Sequence, residues 1–297
     1  MFSKNTNILN GMKSYWELTK PRLSSMSVLT AVLGFLLVDA EFNLMPFLGL
    51  CIGTALAAGG AAALNQLLEI KQDAKMARTK NRPLVTKAVS PTSVFYFGMF
   101  LCAEGLTILY LTTNLWATIL CALTILIYLL IYTPLKRKTI YSTEIGALSG
   151  ALPPLVGWCA ANGEPSLYGL ILFGILFAWQ MPHFMAIAFN HKKDYAKAGF
   201  KLQYEGEKQN FYLSRKALIY GMILTTLVFY PFSADLGEYA PGVLYFISAS
   251  LLSVVLLIKC IKFYTNDEKN KSARSLFFVT IIYLPLLLIT MVVDHYI

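Results

Sequence analysis

Long apolar runs, separated by short basic clusters, alternate along nearly the whole chain. Many of these runs approach the ~20 residues that a helix needs to cross a bilayer. The pattern predicts nine spans, near 23–40, 44–66, 91–112, 115–133, 144–161, 167–189, 216–233, 241–261 and 275–293. In lipid a chain must satisfy its own backbone groups, which for runs of this length means helices. The expected fold class is therefore an all-α polytopic membrane protein. It forms a single integral-membrane domain over 1–297, with a polar cytoplasmic segment at 1–20. A hydrophobic content of 57% and a mean hydropathy of +0.58 exclude a soluble domain.

Charge placement adds an orientation. All 25 Lys and Arg fall within 4–22, 71–87, 136–138, 192–216 and 259–274, which nine spans place on one membrane face. The opposite loops carry Asp39, Glu41, Glu164, Asp235, Glu238 and Asp294 and no cation. By the positive-inside rule the N-terminus and basic loops are cytoplasmic and the C-terminus is outside. Eight or ten spans would scramble this sorting. The net charge of +9 then serves orientation and attraction to anionic membrane lipid, and no soluble domain presents a basic stripe to nucleic acid. Neither a cleavable signal pattern nor an Arg- and Ser-rich transit peptide is visible, so a bacterial plasma (inner) membrane is expected. The five cysteines (Cys51, Cys102, Cys121, Cys159, Cys260) form no CxxC pair and read as small buried hydrophobes.

Three polar groupings interrupt the apolar pattern. Asn65, Glu69 and Asp73 are spaced i, i+4, i+8 from the end of the second apolar run, which places them in a column on one side of a helix. Two carboxylates and an amide are hard oxygen ligands suited to Mg²⁺ shared with phosphate. Lys71, Arg78, Lys80 and Arg82 close by can hold the phosphate oxygens themselves. Tyr132-Thr-Pro-Leu-Lys136-Arg137 ends the fourth span and offers further cations, although a stop signal with an interfacial tyrosine would read alike. Trp179-Gln180-Met-Pro182-His183-Phe184 lies near the cytoplasmic end of the sixth span, with Asn190, His191, Asp194 and Tyr195 after it. His183 reads either as a hydrogen bond to a neighbouring helix, as a ligand to haem iron, or as a donor to a substrate. Asp194 is either a second metal-bound carboxylate or a solvated loop residue. Glu104, alone in the third span, is an intramembrane acid whose role stays open. Pro153-Pro154 is expected to bend or interrupt the fifth span.

Together these groupings resemble the UbiA superfamily of intramembrane prenyltransferases, over nearly the whole chain from Leu18-Thr-Lys-Pro-Arg22 onward. Three blocks carry the likeness: Met76-Ala-Arg-Thr-Lys-Asn-Arg82-Pro, Tyr132-Thr-Pro-Leu-Lys-Arg137 with Gly146…Gly150-Ala-Leu-Pro-Pro154, and Trp179-Gln-Met-Pro-His-Phe184. The last two are similar to the branch that modifies haem. The resemblance implies a UbiA-type bundle with cytoplasmic cap loops. It also implies transfer of a farnesyl group from farnesyl diphosphate to a vinyl group of haem b, with water added, giving haem O. In that reading Glu69 and Asp73, assisted by Asn65, hold Mg²⁺ as cofactor. Lys71, Arg78, Lys80, Arg82, Lys136 and Arg137 hold diphosphate, and Tyr132, Gln180, His183, Asp194 and Tyr195 meet the haem. A downstream haem A synthase would be a partner. The chain departs from the family's acidic motif, with Glu69 in place of an Asp and Lys71 where another Asp usually stands. The alternatives are a prenyltransferase acting on an aromatic acid or a chlorophyll-type ring, and a transporter with these groups lining its path.

Overall fold

The computed structural model describes residues 11–38, 41–200, 207–234, 236 and 239–297. Lys4, Asp39, Lys201, Asp235 and Glu238, which take part in the expected charge sorting, lie outside the described residues. Among those described the fold is entirely helical: α1 (11–18), α2 (Pro21–Leu36), α3 (Leu44–Leu68), α4 (Ile70–Asp73), α5 (Pro91–Thr112), α6 (Leu115–Leu126), a π-helical turn (Ile127–Tyr132), α7 (Thr133–Leu135), α8 (Ser142–Asn162), α9 (Leu167–Asn190), α10 (Lys192–Ala198), α11 (Glu207–Phe229), a 3-10 turn (Tyr230–Phe232), α12 (Val243–Thr265) and α13 (Lys269–His295).

Among the described residues nine long helical segments coincide with the nine expected spans, counting α6 through α7 as one. Six of them are long and apolar enough to cross a membrane, so nine is an approximate count of crossings. The others are α2, with 16 residues, and α8 and α11. α11 begins well before the expected 216, because Lys208, Arg215 and Lys216 are taken up into its first turns. Helix ends follow local chemistry. Pro21 and Pro91 start α2 and α5, where a missing N–H costs nothing, and Asn43, Ser90, Asn114 and Ser166 cap α3, α5, α6 and α9 through their side-chain oxygens.

α3 packs along α5, α2 along α8, and α9 against α8, α11 and α13, enclosing a core around Trp158, Ile175, Met181 and Tyr283. All five cysteines are free and four of them are buried. Pro153 and Pro154 do not interrupt α8, nor does Pro182 interrupt α9. Close neighbours in lipid can hold a proline-containing helix together. On α8 that neighbour is α2: a Cβ on Gly34 would run into the Pro154 carbonyl, and one on Gly157 into that of Ala31. The small residues therefore set the approach of the two helices. Gly157→Val should force them apart at a cost of about 1–3 kcal/mol, read as a lower unfolding temperature in detergent. Gly11→Ala, where a Cβ meets nothing within 4 Å, should leave that temperature unchanged.

Candidate active site

A cavity of about 900 Å³ opens among α2, α3, the α6–α7 segment, α8 and α9 and reaches the loops that follow α4 and α10. Small residues of α3 (Ala57, Ala58, Ala61, Ala62) form one wall, with Pro153 and Val156 of α8 opposite. Asn65, Glu69 and Asp73 stand at its polar end and are 1%, 6% and 4% exposed.

The column is not one helix. α3 stops at Leu68, Glu69 takes a non-helical conformation (φ −108°, ψ 11°), and α4 restarts the coil for one turn. The i→i−4 bonds nevertheless continue, from Glu69 N–H to the Asn65 carbonyl (3.1 Å) and from Asp73 N–H to the Glu69 carbonyl (2.8 Å), so the three side chains remain stacked. Lys71, two residues from each acid, falls on the far side of that turn. It is exposed and does not line the cavity.

Each member of the column is bound to a cation from a different part of the chain. Lys20 Nζ donates to Asn65 Oδ1 (2.9 Å), Lys136 Nζ to Glu69 Oε1 (2.9 Å), and Arg82 Nη1 to Asp73 Oδ2 (2.6 Å). The Asn65 amide donates to Glu69 Oε2 (3.2 Å) and to Thr133 Oγ1 (3.0 Å), and the Thr133 hydroxyl donates to the Tyr128 carbonyl (2.7 Å). Charged groups this far from water need such partners; breaking one buried pair costs about 3–5 kcal/mol. Burial, followed by repulsion from Arg82 and Lys136, lowers the Lys20 pKa to about 7, against the pull of Glu69 and Asp73. Burial also works against the charge on Lys136, but Tyr132 and Glu69 beside it outweigh burial and hold its pKa above the ordinary value.

The π turn positions the aromatic wall. Pro134 has no N–H to continue the α ladder, and the Thr133 N–H reaches back five residues to the Tyr128 carbonyl. Tyr128 and Tyr132 stack at 5.8 Å over this turn, and Lys136 Nζ sits 4.4 Å from the Tyr132 ring centre. Gly146 leaves room for the Tyr132 ring, and Gly150 for the Gln180 amide, which lines the cavity and donates to the Ala147 carbonyl (3.3 Å).

Of the expected site residues, Asn65, Glu69, Asp73, Arg78, Arg82, Tyr132, Lys136, Gln180 and Tyr195 converge on this cavity. Asp194 lines a smaller one of about 190 Å³, bounded also by Met76, Arg78, Ile187, Asn190, His191, Tyr195 and Phe277. Four of those residues (Met76, Arg78, Ile187 and Tyr195) line both, so the two spaces adjoin. Lys80 and Arg137 are exposed and, like Lys71, outside the cavity lining. His183 lies at the seam of α9 and α13, its ring between those of Trp179 and Phe277. Glu104 is on the exposed side of α5. Tyr128, expected near the site as an aromatic face for a cation, also lines the cavity, and the residues that sequence reasoning missed are Lys20 and Thr133. Lys20 carried a faint signal as a cation directly before the proline that starts a span, but its left-handed backbone (φ 47°) was not readable.

No three His, Cys, Asp or Glu side chains converge into a metal cluster among the described residues. Two carboxylates and an amide suit a Mg²⁺ that completes its shell with water and phosphate oxygens. An apolar chamber between membrane helices, closed at one end by acids interleaved with cations, is the arrangement of an intramembrane enzyme that handles an apolar chain on a polyanionic head. The chain belongs to the UbiA prenyltransferase family, whose profile matches residues 27–282. Over 281 residues, 95% of this chain and 94% of the relative, it is 40% identical to the protoheme IX farnesyltransferase of Opitutus terrae. Its fold matches that of a digeranylgeranylglyceryl phosphate synthase with a TM-score of 0.79 at 17% identity, covering 96% of this chain and 98% of that one. It also matches a UbiA homologue from Archaeoglobus fulgidus solved with GPP and Mg²⁺ (TM-score 0.61, 14% identity, 94% and 99% covered).

The placement of the cations makes a prediction. Lys20→Met should weaken binding of inorganic diphosphate with Mg²⁺ by about 10- to 100-fold, the worth of a buried charge-assisted hydrogen bond. Lys71→Met and Lys80→Met, which change exposed cations, should alter it by no more than about twofold. Titration calorimetry on the detergent-solubilised protein reads both.

Proposed function

We propose that this chain is a protohaem IX farnesyltransferase: it joins the farnesyl group of farnesyl diphosphate to a vinyl group of haem b, adds water, and releases diphosphate and haem O. The observation that carries this is the buried Asn65–Glu69–Asp73 column and its three cations at the mouth of an apolar cavity, in a chain 40% identical to an enzyme of that name.

Glu69 and Asp73 would hold Mg²⁺, with Asn65 assisting, and the bound metal supplies charge stabilisation to the departing diphosphate. Lys20, Arg78, Arg82 and Lys136 line the same end and provide the basic clamp for phosphate oxygens. As the farnesyl C1–oxygen bond breaks, its electron pair leaves with diphosphate. The terminal vinyl carbon of haem then attacks C1. The positive charge passes to the vinyl carbon next to the pyrrole, where water adds and loses a proton. The apolar walls keep other water from the allylic cation until then. The faces of Tyr128 and Tyr132 stabilise that cation, as the Tyr132 face does Lys136. Gln180, Tyr195 and Asp194 are assigned to the acceptor side, in and beside the adjoining space.

The setting that fits the charge sorting is a bacterial plasma membrane with the basic loops cytoplasmic, the C-terminus outside, and a haem A synthase receiving the product. Purified protein given haem b, farnesyl diphosphate and Mg²⁺ should yield haem O by mass spectrometry, and none after chelation of the metal. Prenylation of an aromatic acid with no haem O would overturn the reading. Asp73→Ala should abolish turnover while the protein stays folded in detergent, whereas substantial residual activity would remove Asp73 from the metal site.

A further inference from the structure

We propose that Thr54, Cys121 and Val156 form a closed floor to the large cavity and set the length of prenyl chain it accepts at farnesyl. This rests on the prenyl diphosphate reading of the site and adds what measures the chain. The residues lining the cavity begin at Thr54 on α3 and at Cys121 on α6, and end at Val156 on α8. These three are 5%, 6% and 2% exposed, so the deep end is shut off from the surrounding lipid. The cavity stops there because glycines bring the helices together just past it. A Cβ on Gly53 would run into the Gly105 carbonyl of α5, and one on Gly157 into the Ala31 carbonyl of α2.

One hydrogen bond sets the register of two walls. The Asn65 amide donates to Thr133 Oγ1 (3.0 Å), which brings α3 and the α6–α7 segment level at the polar end. At ~1.5 Å per residue, Thr54 lies about 17 Å from Asn65 along α3, and Cys121 about as far from Thr133. On α8 the Tyr132 ring rests against Gly146, and Val156 lies about 15 Å further along. The three residues thus reach one depth. An extended farnesyl chain spans about 14 Å and a geranylgeranyl chain about 19 Å, from C–C bonds of ~1.5 Å in zigzag. With C1 beside Asn65, the innermost member of the column, the first ends in contact with the floor and the second overruns it. A geranyl chain, about 9 Å long on the same bonds, leaves the floor bare.

The floor also has the surface a hydrocarbon end requires. The Thr124 hydroxyl is turned onto the Leu120 carbonyl (2.9 Å) and Thr54 Oγ1 is buried, which leaves their methyl groups to the cavity. The Cys121 thiol is free and packs as a small hydrophobe. Each methylene that such walls bury strengthens binding about fourfold, so a chain that fills the pocket outbinds a shorter one. A chain too long must coil, or part helices already in backbone contact, and a close-packed interior resists both. Thr54 Oγ1 has no hydrogen-bond partner among the described residues, so removing it leaves no other group unpaired.

The test is competition among geranyl, farnesyl and geranylgeranyl diphosphates with Mg²⁺ and haem b, the prenylated haems being counted by mass spectrometry. Wild type should favour farnesyl over geranylgeranyl by at least about tenfold, the discrimination an apolar pocket supplies for a single misfitting methylene. Thr54→Ala combined with Val156→Ala should deepen the pocket and bring geranylgeranyl within about threefold of farnesyl. Cys121→Leu should raise the floor, cut farnesyl transfer at least about tenfold and turn the preference to geranyl. Leu123→Ala, on the exposed side of α6, should keep the wild-type preference. Every variant should bind inorganic diphosphate with Mg²⁺ within about twofold of wild type, since floor and column are far apart, and this certifies its fold. A wild type indifferent to chain length would overturn the inference whatever the variants do, as would folded floor variants with unchanged preference. If calorimetry shows wild type binding farnesyl diphosphate over the longer chain while no haem is prenylated, the proposed acceptor falls and the floor stands.

Discussion

Charge neutralisation inside an apolar bundle is the constraint on which this structure turns. A column of acids at the end of α3 has little water to screen it, so each member must meet a partner supplied by protein. Those partners come from the segment before α2, from the loop after α4 and from the end of the α6–α7 segment. The three contacts therefore tie together parts of the chain that sequence keeps far apart, and they do so around the cavity mouth. The same cations that neutralise the acids are the ones able to meet a polyphosphate. In the proposed reaction, function and stability draw on one set of groups.

Packing shapes the rest of the chamber through what side chains leave out. Alanines on α3 line it, glycines on α8 make room for Tyr132 and Gln180, and Gly34 and Gly157 let α2 and α8 touch backbone to backbone. Pro134, with the Thr133 N–H and hydroxyl, converts the end of a regular span into a π turn that stacks Tyr128 on Tyr132. Proline elsewhere has no such effect. α8 carries Pro153 and Pro154 without a break because its neighbours hold it, which defeats a rule derived from isolated helices.

Much of the site was readable because its period is local. Asn65, Glu69 and Asp73 share a face by spacing alone, and apolar flanks marked them as costly to bury and so in need of a purpose. Lys71, Lys80 and Arg137 show the limit of that reasoning. Proximity in sequence made them equal to Arg82 and Lys136, yet only the latter two turn inward. Which way a loop cation points depends on the fold of the loop, and an irregular loop has no period to betray it. His183 was visible as an intramembrane histidine, but its partner Thr280 lies 97 residues away. No single-chain pattern connects them.

By itself the sequence determined the helical membrane class, the positions of the long helices, the charge asymmetry and the presence of an oxygen-rich column, because each is set by hydrophobicity or by helical period over a few turns. Tertiary structure decided which cations face that column, where α3 breaks at Glu69, how the π turn aims the tyrosines, and that His183 belongs to a seam with α13. Those depend on contacts between segments tens of residues apart. Their geometry follows from how whole helices pack, and no local preference encodes it.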